Sequence, residues 1–523
     1  MTKLCCTALL LALASSVTTQ AADTLTIDTD KGTVEGAFSG DHKVRAFKGI
    51  PFAAPPVSDL RWKPPQPAAA WQGVRPAKEF GHHCYQSATY KDMVFHDPGP
   101  SEDCLTLNVW TPTNATTGSL PVMVWIYGGG FVAGGTSERR QDGQYLAHKD
   151  VVVVSMNYRL GIFGFFTYPQ LVDESIHHAA GNYGLLDQAA AIQWVKQNIA
   201  AFGGNPSNIT IFGESAGSFS VSAQMASPLV KGLLSKAIGE SGGAFYSSGL
   251  PFEPLTIHVA RDAKFAQDDL HANTLAQLRA ISAEKLLKAA TAKTTQGLRF
   301  SPDIDGYFLP DSVPSIYAAG KQAQIPVLAG WNADEVRGMV MSGSNKPTPQ
   351  SFAADAKTQF GQHSAEFLKL YPSETDATVV QSAGDFAGDR FIAYSTWRWL
   401  EAQVKTGGSP VYRYRFDLGS PGDQNHPAAL GAFHSDDIEY VFGTLDSRPG
   451  AVWRPQDRKL SEQMQTYWTN FARNGNPNGA NLPKWPEYDA PQWQVMYLDA
   501  HSVAKPDTNR ERYLFLDREW GKD

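Results

Sequence analysis

Cysteine is scarce in this 523-residue chain: four in all, two of which, Cys5 and Cys6, fall at the extreme N-terminus. No compact His/Cys/Asp/Glu spacing suggests a metal site, and the one tight pair, His82-His83, reads as a solvated turn. Basic charge is not in excess either. With 45 Lys and Arg against 52 Asp and Glu the formal net charge is -7, which leaves no global cationic footprint for nucleic acid or anionic lipid. After the N-terminal segment no comparable apolar run follows, no repeat recurs, and nothing resembles a long linker between independent domains. Disorder as the main state is excluded by composition: 42% hydrophobic and 19% charged residues describe an ordinary globular chain.

What is present begins with Met1 to Ala22. Lys3 supplies charge, Cys5 to Leu13 is apolar, and Thr19-Gln20-Ala21-Ala22 offers small residues for cleavage. This predicts an export signal over 1–22, too short for a spanning helix, and a soluble secreted or periplasmic product over 23–523 with no stable membrane anchor. Cys84 and Cys104 remain, and an oxidising compartment would let them close a loop. Asn114 and Asn208 head glycosylation sequons, the second of them abutting a core strand.

Continuous apolar runs at Pro121 to Tyr127 and Val151 to Ser155 predict strands covered on both faces, as in a largely parallel sheet. Leu186, Ala190, Val195 and Ile199 recur at helical spacing, and Gly203-Gly204-Asn205-Pro206 stops that helix before a β-branched run from Ser207. Strand, helix and strand in this order read as a crossover unit of an α/β fold. Further strands are expected at Ala237-Ile238, Pro326 to Gly330, Val411 to Phe416 and Val495 to Leu498. Helical segments over 262–290 and 391–404 are expected to form cap or side-wall material, with a late helix over 459–471.

The run from Ser207 enters Gly213-Glu214-Ser215-Ala216-Gly217, a Gly-x-Ser-x-Gly pentapeptide. After a strand and before a helix, this pattern reads as a sharp turn that leaves Ser215 exposed at its tip, beside the unpaired amides of a helix start. A hydroxyl needs a base before it attacks anything. Among 13 histidines, His426, His434 and His501 come late enough in the chain for the base-last order of an α/β-hydrolase, and the small, polar loop around His434 favours it. The orienting acid is expected just after the strand ending at Gly330, where Asp334 and Glu335 stand side by side. Gly128-Gly129-Gly130 at a strand end, with the amide of Ala216, could receive an oxyanion; the run lacks both the Lys-Ser/Thr ending of a P-loop and the G-x-G-x-x-G spacing, so no nucleotide site is expected.

These stretches resemble the type-B carboxylesterases, which include cholinesterases and the inactive neuroligins. The resemblance runs from about Gly32 to Trp520 and rests on Phe47 to Ala53, Glu102 to Trp110, Trp125 to Phe131, Asn157 to Gly161, Gly181 to Gln188 and Phe212 to Gly217. It implies an α/β-hydrolase fold, a large mostly parallel sheet flanked by helices with cap insertions, and a triad of Ser215, Glu335 and His434, choosing Glu335 over Asp334. It further implies an oxyanion hole of Gly129, Gly130 and Ala216, supporting roles for Glu214 beside the nucleophile and Ser241 near the acid, a Cys84–Cys104 disulfide, and structural ion pairs Arg61–Glu102 and Arg159–Asp187. Val336 and Asn205 depart from frequent family residues, and the loop between the cysteines has Tyr85, Tyr90 and Phe95 but no Trp of the kind that holds choline in cholinesterases.

The expected function is a serine carboxylesterase acting on small-molecule esters, with no cofactor and no metal. Alternatives with the same fold are an esterase for polycarboxylate esters of the fumonisin type, for which Arg337 and Arg390 are candidate pocket cations, an amidase or lactonase, and a neuroligin-like binding protein. Inactive relatives lose the nucleophile, whereas Ser215, Glu335 and His434 are all present here.

Overall fold

The computed structural model describes residues 25–245, 252–294, 297–343, 346–423 and 425–521. The export signal expected over 1–22 lies outside them. One sheet of eleven strands organises the chain: β1 (Ala37–Phe38), β2 (Val44–Pro51), β3 (Thr106–Pro112), β4 (Leu120–Ile126), β5 (Val152–Met156), β6 (Gly204–Glu214), β7 (Lys236–Glu240), β8 (Val327–Asn332), β9 (Val411–Phe416), β10 (Gln494–Leu498) and β11 (Val503–Pro506). Their spatial order is β11-β10-β9-β8-β7-β6-β4-β5-β3-β2-β1. From β5 across to β10 all neighbours are parallel, while β1, β2, β3 and β11 pair antiparallel at the two margins. This is the α/β-hydrolase architecture that the family resemblance implies, with the parallel centre that the apolar runs imply: every residue of β5, β7 and β8 is buried, as parallel strands covered on both faces must be.

The chain crosses back over β4 on its way from β5 to β6, so the strand order reverses there. In open parallel sheets such a reversal leaves a crevice at the carboxyl ends of the strands. Helices α1 (Tyr183–Asn198) and α2 (Ala216–Ala226) flank β6 in sequence, and both are buried over most of their length. A 3-10 turn, Ile199–Phe202, ends on left-handed Gly203 (φ 93°) and delivers the chain to β6. The strand therefore starts at Gly204, earlier than the β-branched run alone suggests.

The helical region expected over 262–290 is three helices: α3 (Leu255–Asp268), α4 (Leu275–Ala280) and α5 (Ala283–Thr294). His271 has positive φ, and Thr274 with Gln277 forms a capping box that restarts the chain, so a periodic apolar pattern passes through a break. The segment expected over 391–404 begins as a π turn, Asp389–Ala393, before α6 (Tyr394–Thr406). The late helix is α7 (Pro455–Asn474). Arg159 makes a two-pronged pair with Asp187 at 2.7 and 2.8 Å, and Arg61 with Glu102 through Nε and Nη2, each at 2.6 Å, so these charges serve as scaffold. Cys84 and Cys104 are bonded. The adjacent His82-His83 is not a solvated turn: His83 is buried, bonds Asp97 at 2.8 Å and stacks on Phe95, because the disulfide loop folds back over it.

Candidate active site

Five strands of the sheet end at one place. Gly128 to Gly130 follow β4, Ser215 follows β6, Ser241 follows β7, Glu335 stands just past β8, and His434 lies in the loop after β9. Ser215 occupies a strained conformation for a residue with a side chain (φ 54°, ψ -124°), and its N–H donates to the Glu240 carbonyl at 2.8 Å, which pins the turn to the neighbouring strand. Gly217 is required by a close approach: a Cβ there would fall 1.9 Å from the Ile126 carbonyl oxygen. The sharp strand-to-helix turn thus follows from small residues on either side of Ser215.

His434 Nε2 lies 2.9 Å from Ser215 Oγ, and its Nδ1 lies 2.5 Å from Glu335 Oε2. The other oxygen of Glu335 accepts from Ser241 Oγ at 2.7 Å and from the Asn332 amide at 2.8 Å, so the carboxylate is held from both ends. Asp334 faces elsewhere: it pairs with Arg337 at 2.7 Å and exchanges backbone contacts with Ala432, bracing the histidine loop. His426 stacks on Phe433 and bonds Asp423, and His501 is exposed on a turn, so neither converges on Ser215. Arg337 is committed to Asp334, and Arg390 is exposed on the π turn.

Gly129 and Gly130 both have positive φ, and the Gly129 carbonyl is occupied by the amides of Val132 and Ala133. The N–H groups of Gly129 and Gly130 donate to no partner among the described residues. The amide of Ala216 opens α2, whose N-terminus carries partial positive charge.

Electrostatics favour a proton on the imidazole. Burial alone would lower the His434 pKa, but the carboxylates of Glu214 and Glu335, with Asp437 beyond, outweigh it and hold it up at about 9. Glu214 Oε1 is 3.4 Å from His434 Nε2, and burial pushes its own carboxyl up to about 8. Phe391 sets its ring edgewise to the imidazole at 5.3 Å.

A serine, an imidazole and a carboxylate in hydrogen-bonded sequence beside open backbone amides can carry acyl transfer. The model of the carboxylesterase family matches residues 23–516. The chain belongs to the carboxylesterase family. It is 37% identical over 478 residues to a fumonisin B1 esterase of Sphingopyxis macrogoltabida, covering 88% of this chain and 84% of that one. To a para-nitrobenzyl esterase of Bacillus subtilis it is 35% identical, over 92% and 95% of the two chains. A solved PNB esterase superposes with a TM-score of 0.81 at 34% identity over 94% of this chain and 99% of its own, and a carboxylesterase of Geobacillus stearothermophilus with the same score and identity over 93% and 99%. This carboxylesterase is a serine hydrolase of carboxylic esters. Among its described residues no helix is long and apolar enough to cross a membrane.

Three neighbours of the site escape sequence reasoning: Phe391 on the π turn, and Tyr90 and Arg299, whose polar tips approach Gly130. Phe391 opens a segment of helical pattern and Tyr90 is one of the aromatics noted in the disulfide loop, but neither context reports closeness to Ser215 or Gly130, and Arg299 sits in no motif; only a folded chain reveals their proximity.

Proposed function

We propose that Ser215, His434 and Glu335 are the catalytic triad and that Gly129, Gly130 and Ala216 form the oxyanion hole, with Glu214 and Ser241 in supporting positions. The observation that carries this reading is the unbroken chain from Ser215 Oγ through both imidazole nitrogens to a doubly anchored carboxylate. As Ser215 Oγ bonds the ester carbonyl carbon, its proton passes to His434 Nε2, and the three amides receive the charge on the carbonyl oxygen. The bond to the alkoxy oxygen then breaks and His434 protonates the departing alcohol. Water, deprotonated by the same nitrogen, attacks the acyl-enzyme and the acid leaves. Each oxyanion donor contributes about 3 to 4 kcal/mol where such donors have been removed.

The Ser215→Ala variant should fold and lose hydrolysis of short-chain esters; turnover at the wild-type rate would reject Ser215 as nucleophile. A second substrate reading, esters of polycarboxylic acids, is supported by the likeness to a fumonisin B1 esterase and by a cation near Gly130. Residues 23–523 are read as one hydrolase unit, exported after removal of 1–22. The Cys84–Cys104 bond supports an oxidising destination, and N-terminal sequencing of the exported product tests the cleavage point.

A further inference from the structure

Gly130 turns through a left-handed backbone (φ 63°), and the direction a Cβ would take there opens on two polar atoms. Tyr90 Oη lies 3.4 Å from that point and Arg299 Nη2 lies 3.5 Å from it, with Val132 Cγ2 next at 4.0 Å. Neither Ser215 nor His434 comes nearer than this on that face. Tyr90 comes from the loop closed by the disulfide and Arg299 from the segment following α5, so pieces remote in sequence meet at the oxyanion loop. Standard backbone bond lengths put both tips within about 6 Å of the Gly130 amide.

We propose that Arg299 and Tyr90 form an anion subsite beside the oxyanion hole, which directs this esterase to half-esters of dicarboxylic acids, the free carboxylate lying on the acyl side. The proposal rests on the assignment of Gly129 and Gly130 as oxyanion donors. With the carbonyl oxygen on those amides, the leaving alcohol must lie at His434 Nε2, because that nitrogen returns the proton. The acyl chain then runs away from the histidine, and the proposal places its far end on Arg299 and Tyr90. Two methylenes between ester carbonyl and carboxylate span about 4 Å, which is within the reach of about 6 Å that bounds the distance from the Gly130 amide to either tip. A guanidinium suits a carboxylate because its planar fork can donate twice to the two oxygens.

Tyr90 supplies a further O–H. Burial raises its pKa against the pull of Arg299, so the phenol keeps its proton and donates. Two carboxyls also act on this phenol, Asp92 and Glu214. Asp92 faces Arg140 at 3.2 Å and Glu214 faces His434 at 3.4 Å, so each carboxyl has a basic partner of its own beside this phenol. Tyr90 is 39% exposed and Arg299 is half-buried.

The test compares kcat/KM for monoethyl succinate with that for its neutral isostere ethyl 4-methylpentanoate by titration of released acid. In the wild type the ratio should favour the half-ester and should fall as salt is raised. Arg299→Gln should lower the ratio at least tenfold, mainly through the KM of the half-ester. Arg299→Lys should retain part of the preference, and Tyr90→Phe should reduce it by about threefold. A ratio unchanged within twofold in Arg299→Gln, whether both substrates suffer equally or neither does, overturns the proposal. So does an Arg299-dependent preference for 2-carboxyethyl butanoate, whose carboxylate is on the alcohol. Ser215→Ala is measured alongside on both esters: hydrolysis surviving there defeats the triad reading, whereas loss of both with an unchanged Arg299→Gln ratio defeats the subsite alone.

Discussion

Replacing Glu335 by Gln perturbs the proposed triad with almost no change of shape, and the surrounding donors dictate how the new amide must sit. One oxygen of Glu335 accepts from Ser241 Oγ and from the Asn332 amide, and since the backbone N–H can only donate, the amide oxygen of Gln must take that side. Its NH2 then faces His434 Nδ1, which becomes an acceptor, and the ring proton moves to Nε2. There it points at Ser215 Oγ, 2.9 Å away, in place of the lone pair that should receive the serine proton. Glu214 Oε1, at 3.4 Å, offers that misplaced N–H a second acceptor and holds the wrong tautomer. The corresponding change in a Ser-His-Asp triad costs about 10⁴ in kcat, or about 5 kcal/mol at 1.36 kcal/mol per tenfold, and a loss of about 10³ to 10⁴ is expected here. Ser241→Ala removes one of two donors that fix the same carboxylate and should cost about tenfold. The assay is kcat/KM on 4-nitrophenyl butyrate, with circular dichroism to establish that the variant is folded. Activity of folded Glu335→Gln within tenfold of the wild type would refute the tautomer argument.

The titrating groups give two further expected outcomes. In the proposed mechanism His434 is neutral when it accepts the serine proton, so activity should rise as pH passes through its pKa; Glu214→Gln removes a carboxylate that raises that pKa and should move the acid limb of the kcat/KM profile to lower pH by about one unit. An unmoved limb in a folded variant would contradict the coupling. Stability should also depend on pH in a definite direction. Burial raises Glu138 and Asp436 to about 7 against the pull of Arg140 and Arg448, so their stabilising contribution is full below the unfolded carboxyl pKa near 4 and is lost as pH rises through 7. His434, raised to about 9, loses its contribution as pH rises from 6.5 through 9. Burial lowers His258 to about 3, so its contribution is present above 6.5 and lost as pH falls toward 3. The melting temperature should therefore peak in the mildly acid range and decline from about pH 6 to pH 9; a steady rise over that window would contradict these assignments.

The parts of the site that are legible in the sequence are those whose chemistry is local. A pentapeptide turn between strand and helix needs glycines beside Ser215 wherever it occurs, and a Gly run at a strand end advertises open amides. The histidine is not legible in this way, because a base is defined by what it reaches: His426 occupies a loop of similar character yet stacks on Phe433. Asp334 and Glu335 are inseparable by spacing; the family resemblance selects Glu335, and the fold sends the two neighbours in different directions, one to Arg337 and one to His434. The cap reads as one helical stretch because apolar periodicity continues across the break that Thr274 caps. His83 reads as solvated because nothing in a dipeptide reports the loop that covers it in the fold. Arg299 is hidden for the same reason, while Arg337, which stands beside the acid in sequence, is engaged elsewhere.

The most direct measurement is covalent titration of the folded enzyme with a fluorophosphonate, coupled to mass spectrometry of the peptides. The account predicts one adduct per chain, on Ser215, formed in step with loss of esterase activity and abolished in Ser215→Ala. Complete inactivation with the adduct on another residue, or full activity with Ser215 stoichiometrically modified, would contradict it.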